Sequence, residues 1–204
     1  MKRVVNVSLG MMFVLATVAG AFAQAPQGAP AGGGQGRGGG GGRGRGPAAP
    51  ACTTLACDLQ ADWTRSSENF YNLVNAMPED KFGFKSTPAQ RSYGEQVMHV
   101  VQINQMLLGT LGAKTAAPAV NMKATSRADI LKALQQSYDY GEAAFKEFND
   151  AAWVQPVMGP RFIGQATRVR IANFAMTHTM DIYGQMVVYL RLNGIVPPAS
   201  RREN

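Results

Sequence analysis

Histidine and cysteine are scarce in this chain of 204 residues, each occurring twice, and acidic residues are missing altogether from its first fifty positions. Two cysteines exclude a disulfide-dense scaffold and a four-cysteine zinc site. Of 20 Lys and Arg, five (Lys2, Arg3, Arg37, Arg43, Arg45) lie in the acid-free stretch, which leaves 15 basic against 13 acidic side chains in residues 51–204. The basic balance therefore belongs to the N-terminal arm. No nucleic-acid partner is expected, because such surfaces need clustered positive charge on the fold itself. A Ser/His/Asp arrangement and a paired-carboxylate glycosidase pattern are also missing. Gly32 to Gly46 lacks the Lys-Ser/Thr and the flanking strand of a phosphate loop.

What is present begins with an export signal over residues 1–23. Lys2 and Arg3 form a positive start, Val4 to Val18 is mostly apolar, and Ala21-Phe22-Ala23 sets small residues where a signal peptidase reads. Asn6, Ser8 and Gly10 interrupt the apolar run, which falls short of the roughly 20 residues that cross a bilayer. Cleavage after Ala23 is expected, with a periplasmic or extracellular mature protein and no membrane span. Residues 24–50 contain no aliphatic side chain larger than Ala. Nothing there offsets ordering entropy by burial, so a disordered Gly/Arg/Pro linker is expected. Cys52 and Cys57 follow, in a compartment that permits disulfides, and a bridge closing that loop contributes about 2 kcal/mol.

Residues 51–204 read as one all-α domain, a four-helix bundle with short loops and no convincing strand. The first helix runs from about Leu55 or Leu59 to Met77, with Leu59, Trp63, Phe70, Leu73 and Met77 at helical spacing before Pro78. Thr87-Pro88-Ala89-Gln90 reads as the start of a second helix reaching about Leu111. Ser126 with Asp129 opens a third, ending near Asn149, and Trp153 to Pro160 is a connecting loop. The fourth runs from about Thr167 to Asn193, closed by Gly194 and Pro197-Pro198.

Polar residues on the core stripes carry the chemical interest, since bundle sites are built from side chains that point inward from facing helices. Ile171, Ala175, His178, Ile182, Gln185 and Tyr189 share one face of the fourth helix, so His178 and Gln185 lie among apolar neighbours. On the second helix Glu95 and His99 are one turn apart, beside Val100, Ile103 and Leu107.

The runs Ser92-Tyr93-Gly94-Glu95-Gln96-Val97-Met98-His99, His178 to Gln185 and Tyr189 to Ser200 resemble the DinB-like superfamily of four-helix bundles, over roughly residues 55–200. The resemblance implies a divalent metal, zinc or nickel, held by one histidine of the second helix and an H-x3-H pair on the last. Some members are thiol-dependent transferases or isomerases. His99 matches the second-helix ligand and His178 the first of the pair, but the second of the pair is Ile182. A three-histidine site is thereby excluded, because isoleucine has no lone pair to donate.

Two readings from different classes remain. In one, the chain is an exported DinB-like protein whose metal site is degenerate, its pocket lined by Asp181, Ile182 and Gln185. In the other, it is an active metal-dependent hydrolase or transferase in which Glu95 replaces the third histidine beside His99 and His178. The low-molecular-weight thiols that the resemblance implies are cytoplasmic, which favours the degenerate reading for an exported chain. The expected partners are a small molecule and a second copy of the chain.

Overall fold

The computed structural model describes residues 51–201, and four long helices carry its fold. The expected signal segment and linker lie outside the described residues. The long helices are α1 (Leu55–Asn75), α2 (Tyr93–Leu108), α3 (Arg127–Phe145) and α5 (Arg168–Leu192). Between α3 and α5 come a one-turn helix, α4 (Asp150–Trp153), and an antiparallel hairpin of β1 (Pro156–Met158) and β2 (Gln165–Thr167). Among the described residues no helix is long and apolar enough to cross a membrane.

Helix ends follow from local chemistry. Thr54 caps α1 by accepting from the Cys57 N–H at 3.2 Å, and the Cys52–Cys57 disulfide ties the chain at this entry. Ser126 caps α3 through the Asp129 N–H at 3.1 Å, and Thr167 caps α5 through the Arg170 N–H at 3.3 Å. Gly194 follows α5 with φ of +72°, the left-handed conformation in which glycine carries no Cβ penalty.

The second helix does not start at Thr87. Residues 87–90 form a turn closed by the Gln90 N–H on the Thr87 carbonyl, and α2 begins at Tyr93 with Ser92 as its cap. Ser92 accepts from the Glu95 N–H at 3.3 Å while the Glu95 carboxylate accepts from the Ser92 N–H at 2.6 Å. The Phe84 and Phe82 carbonyls take the N–H groups of Tyr93 and Gly94. Every N–H from Ser92 to Glu95 thus has a partner, the condition for a buried helix start. The α3 helix also stops earlier than its periodicity suggests, at Phe145, and Asn149 caps α4 instead. The expected loop after Trp153 contains the β1–β2 hairpin, whose strands are too short for a period-two pattern to reveal.

Both α1 and α2 pack against α3 and α5, so α1 faces α2 and α3 faces α5 across the diagonals of the bundle. Short loops were expected, but all three connections between the long helices are long, 76–92 and 146–167 between diagonal helices and 109–126 between the adjacent α2 and α3. The core is aromatic around α1: the Trp63 ring lies against Tyr138 and Phe145, and its indole N–H donates to the Tyr138 carbonyl at 3.1 Å. The α1–α3 approach depends on Gly141, since a Cβ there would lie 2.1 Å from the indole. Phe70, Leu73, Val97, Leu107, Leu134 and Ile171 complete this interior, each worth roughly 1.5–3 kcal/mol of burial relative to exposure.

Candidate functional site

Packing of α2 against α5 brings the two histidines of the sequence together. The Nε2 atoms of His99 and His178 are 3.2 Å apart and the rings meet edge to face, both half-buried. One Nε2 must donate and the other accept, so the contact requires at least one neutral ring. The electrostatics agree. Burial, then the Arg91 guanidinium and His178, hold His99 below the ordinary histidine range. Burial lowers His178 too, Asp181 opposes that shift, and Arg91 adds to it.

Around the pair runs a polar strip between the same helices. Gln96 Nε2 donates to Gln185 Oε1 at 3.1 Å, and Gln185 Nε2 donates to the Asp181 carboxylate at 3.2 Å. Gln96 is fully buried, and its own carbonyl oxygen and His178 Nδ1 are buried without partners. Its position was legible: residues 96, 100, 103 and 107 share one face of α2 with otherwise apolar side chains. Arg91 had no such signal. It precedes α2 and is anchored from across the interface, where the Tyr189 hydroxyl donates to its carbonyl at 2.7 Å.

The other expected site residues lie apart from the pair's chemistry. Ile182 is buried one turn after His178 and contributes only apolar surface. The Glu95 carboxylate is exposed, folded back on the Ser92 N–H and 3.8 Å from Lys85 Nζ. Those same bonds to Ser92 hold its carboxyl below the usual carboxylate range. Beside His99 an open groove of about 990 Å³ is lined by Lys85, Arg91 and Lys123 and also by Glu79 and Glu95; His178 is not part of its lining.

The sequence profile of the DinB superfamily matches residues 62–186, well over half of the chain. The chain belongs to the DinB superfamily. Its fold is similar to that of a DinB-like protein from Bacillus cereus ATCC 10987, with a TM-score of 0.61 and 18% identity over 71% of this chain and 96% of that one. A DinB-like protein from Bacillus subtilis gives a TM-score of 0.56 and 16% identity over 71% and 99% of the two chains. At such identities the likeness is one of fold. Among curated proteins no significant match is found.

A divalent metal is what DinB membership implies, and the donor set decides whether this DinB domain suits one. Two imidazole nitrogens on one tetrahedral zinc, each about 2.0–2.1 Å from it, stand about 3.3 Å apart, so the His99–His178 spacing alone would serve. The remaining donors do not. Among the described residues no group of three or more His, Cys, Asp or Glu side chains converges on one point. A site with three protein ligands is therefore not built here, and the residues present do not fit a resident catalytic metal.

Proposed function

We propose that this protein is an exported DinB-like binding domain with a degenerate metal site, in which His99 and His178 now anchor a small anionic molecule. The observation that carries the reading is the direct Nε2 contact of the two rings with no third ligand beside them, Ile182 occupying the third family position. The adjoining groove has room for a metabolite-sized ligand. Burial is the main cause that lowers both histidines. The Arg91 guanidinium adds to it at His99 and brings positive charge to the groove, which favours an anion there, while at His178 Asp181 outweighs it. Gln96 and Gln185 supply neutral hydrogen-bonding capacity next to the charge.

Export rests on the first 23 residues, with Lys2 and Arg3, the apolar run and Ala21-Phe22-Ala23. The alternative, an active metal-dependent enzyme using Glu95, needs a carboxylate that is already committed to the α2 capping box.

Elemental analysis of protein secreted without a histidine tag is the test. The expected result is far less than one zinc or nickel per chain and a mature N-terminus at Gln24. Stoichiometric metal that disappears in Glu95→Ala would overturn the reading in favour of the enzyme. Thermal shift with acetate, citrate and inorganic phosphate examines the anion: at least one should raise the parent's midpoint and leave Arg91→Ala unmoved. A ligand at 100 times its Kd stabilises by about 2.7 kcal/mol, well within detection. No shift with any of the three would remove the anionic assignment.

A further inference from the structure

From Ala151 to Met180 the chain carries three arginines and not one Asp, Glu or Lys. Arg168 turns inward and donates to the Leu111 and Ala152 carbonyls, which leaves Arg161 and Arg170 exposed, with no ion pair among the described residues. The acids that flank the stretch are committed elsewhere: Asp150 accepts from the Ala56 N–H at 2.8 Å and Asp181 from Gln185 at 3.2 Å. Within it lie the two most exposed large apolar side chains of the described residues, Met158 at 70% and Phe162 at 60%.

Both belong to the β1–β2 hairpin. Met158 ends β1 on its outward side, since Val157 before it packs on the core, and Phe162 is in the connecting turn. That turn is held by its own backbone: the Gly159 N–H donates to the Gly164 carbonyl at 3.0 Å, and the Ile163 and Gly164 N–H groups donate to the Pro160 carbonyl at 2.8 and 2.9 Å. Arg161 and Phe162 are its central residues, presented without further ordering of the chain. The Phe162 ring lies against Phe174 of α5, with centroids 5.5 Å apart, and Arg170 stands one helical turn before Phe174 on the same face.

A few apolar side chains on a turn fall well short of the roughly 800 Å² that each partner buries in a standard protein interface. They suit a bilayer surface, where an apolar tip enters the boundary of headgroups and acyl chains by about 5–10 Å while cationic heads stay with the phosphates. The lack of carboxylates gives this end of the domain the sign that an anionic leaflet attracts. We propose that the β1–β2 hairpin docks the domain on an anionic phospholipid surface, with Phe162 and Met158 inserted and Arg161 and Arg170 on lipid phosphates. Neither histidine takes part, so ligand binding at His99 and lipid docking are separable.

Flotation of the full mature chain with lipid vesicles tests this. The protein should float with vesicles of phosphatidylglycerol and phosphatidylethanolamine, less so as salt rises, and stay behind with phosphatidylcholine vesicles. Arg161→Glu should lower the partition coefficient at least about fivefold, the worth of one basic residue near such a surface. Phe162→Ser should lower it as much, through loss of the inserted ring. Both side chains are exposed, and circular dichroism checks that each variant keeps its helices. In Phe162→Trp the indole emission should move to the blue on anionic vesicles, against the steady signal of buried Trp63 and Trp153. No flotation of the parent, flotation indifferent to both hairpin variants, or an unmoved emission maximum would overturn the proposal. Flotation lost only when Arg37, Arg43 and Arg45 are changed to Ala would assign the contact to the N-terminal arm and equally overturn it. A dimer that Phe162→Ser dissolves, in a parent that does not float, would give the patch to a second copy and overturn it too.

Discussion

Ile182 lies one helical turn beyond His178 on α5, buried where the superfamily's second last-helix histidine would stand. The contact between His99 and His178 brings two imidazoles to within one metal's reach, and the side chain that would join them from the same helix is a hydrocarbon.

Ile182→His should therefore create a metal site. Zinc or nickel affinity should rise by about 100-fold or more, since even an outer-shell partner is worth 10–100-fold. Because imidazoles ligate in the neutral form, the gain should fade as pH drops through about 6.5. Calorimetric titration reads it, His99→Ala in the variant should abolish it, and equally weak binding by parent and variant would refute a shared pocket.

Stability should depend on pH through the same pair. Both rings are held below the ordinary value of 6.5 in the folded protein, so on acidification the unfolded chain takes up protons first. The stabilisation is fully present above about pH 6.5 and is lost as pH falls through it toward the depressed folded values. A double variant, His99→Gln with His178→Gln, should show a flatter melting midpoint across that window. An unchanged slope would mean that other groups carry the dependence.

At the start of α2, Ser92→Ala removes the acceptor for the Glu95 N–H and should cost about 1 kcal/mol. Glu95→Ala breaks the reciprocal bond, so urea unfolding should register it while the metal content of the protein stays unchanged. A loss of bound metal in that variant would give Glu95 a ligand's role.

Gly141→Ala tests the α1–α3 packing. The added methyl would sit 2.1 Å from the Trp63 ring, and the indole is also held by its bond to the Tyr138 carbonyl. Overpacking of this kind costs about 3 kcal/mol, which denaturant unfolding resolves. A loss under about 0.5 kcal/mol, the size of an ordinary surface change, would show that Trp63 moves freely.

The helical content, the start of α3 and both ends of α5 were readable along the chain because caps and apolar period act over a few residues: Ser126 with Asp129, Thr167, and Gly194. The start of α2 was not. Thr87 and Ser92 both carry the local signature of a cap, and only the folded loop, with the carbonyls of Phe82 and Phe84 presented to Tyr93 and Gly94, chooses Ser92. His99 and His178 stood out as polar residues on apolar stripes, and so did the replacement at Ile182. Their contact spans 79 positions of sequence, as the Gln96–Gln185 bond spans 89 and the Tyr189–Arg91 bond 98. No local pattern encodes such pairs. They exist because α2 packs on α5 rather than on its chain neighbour α1, and that choice belongs to the whole core.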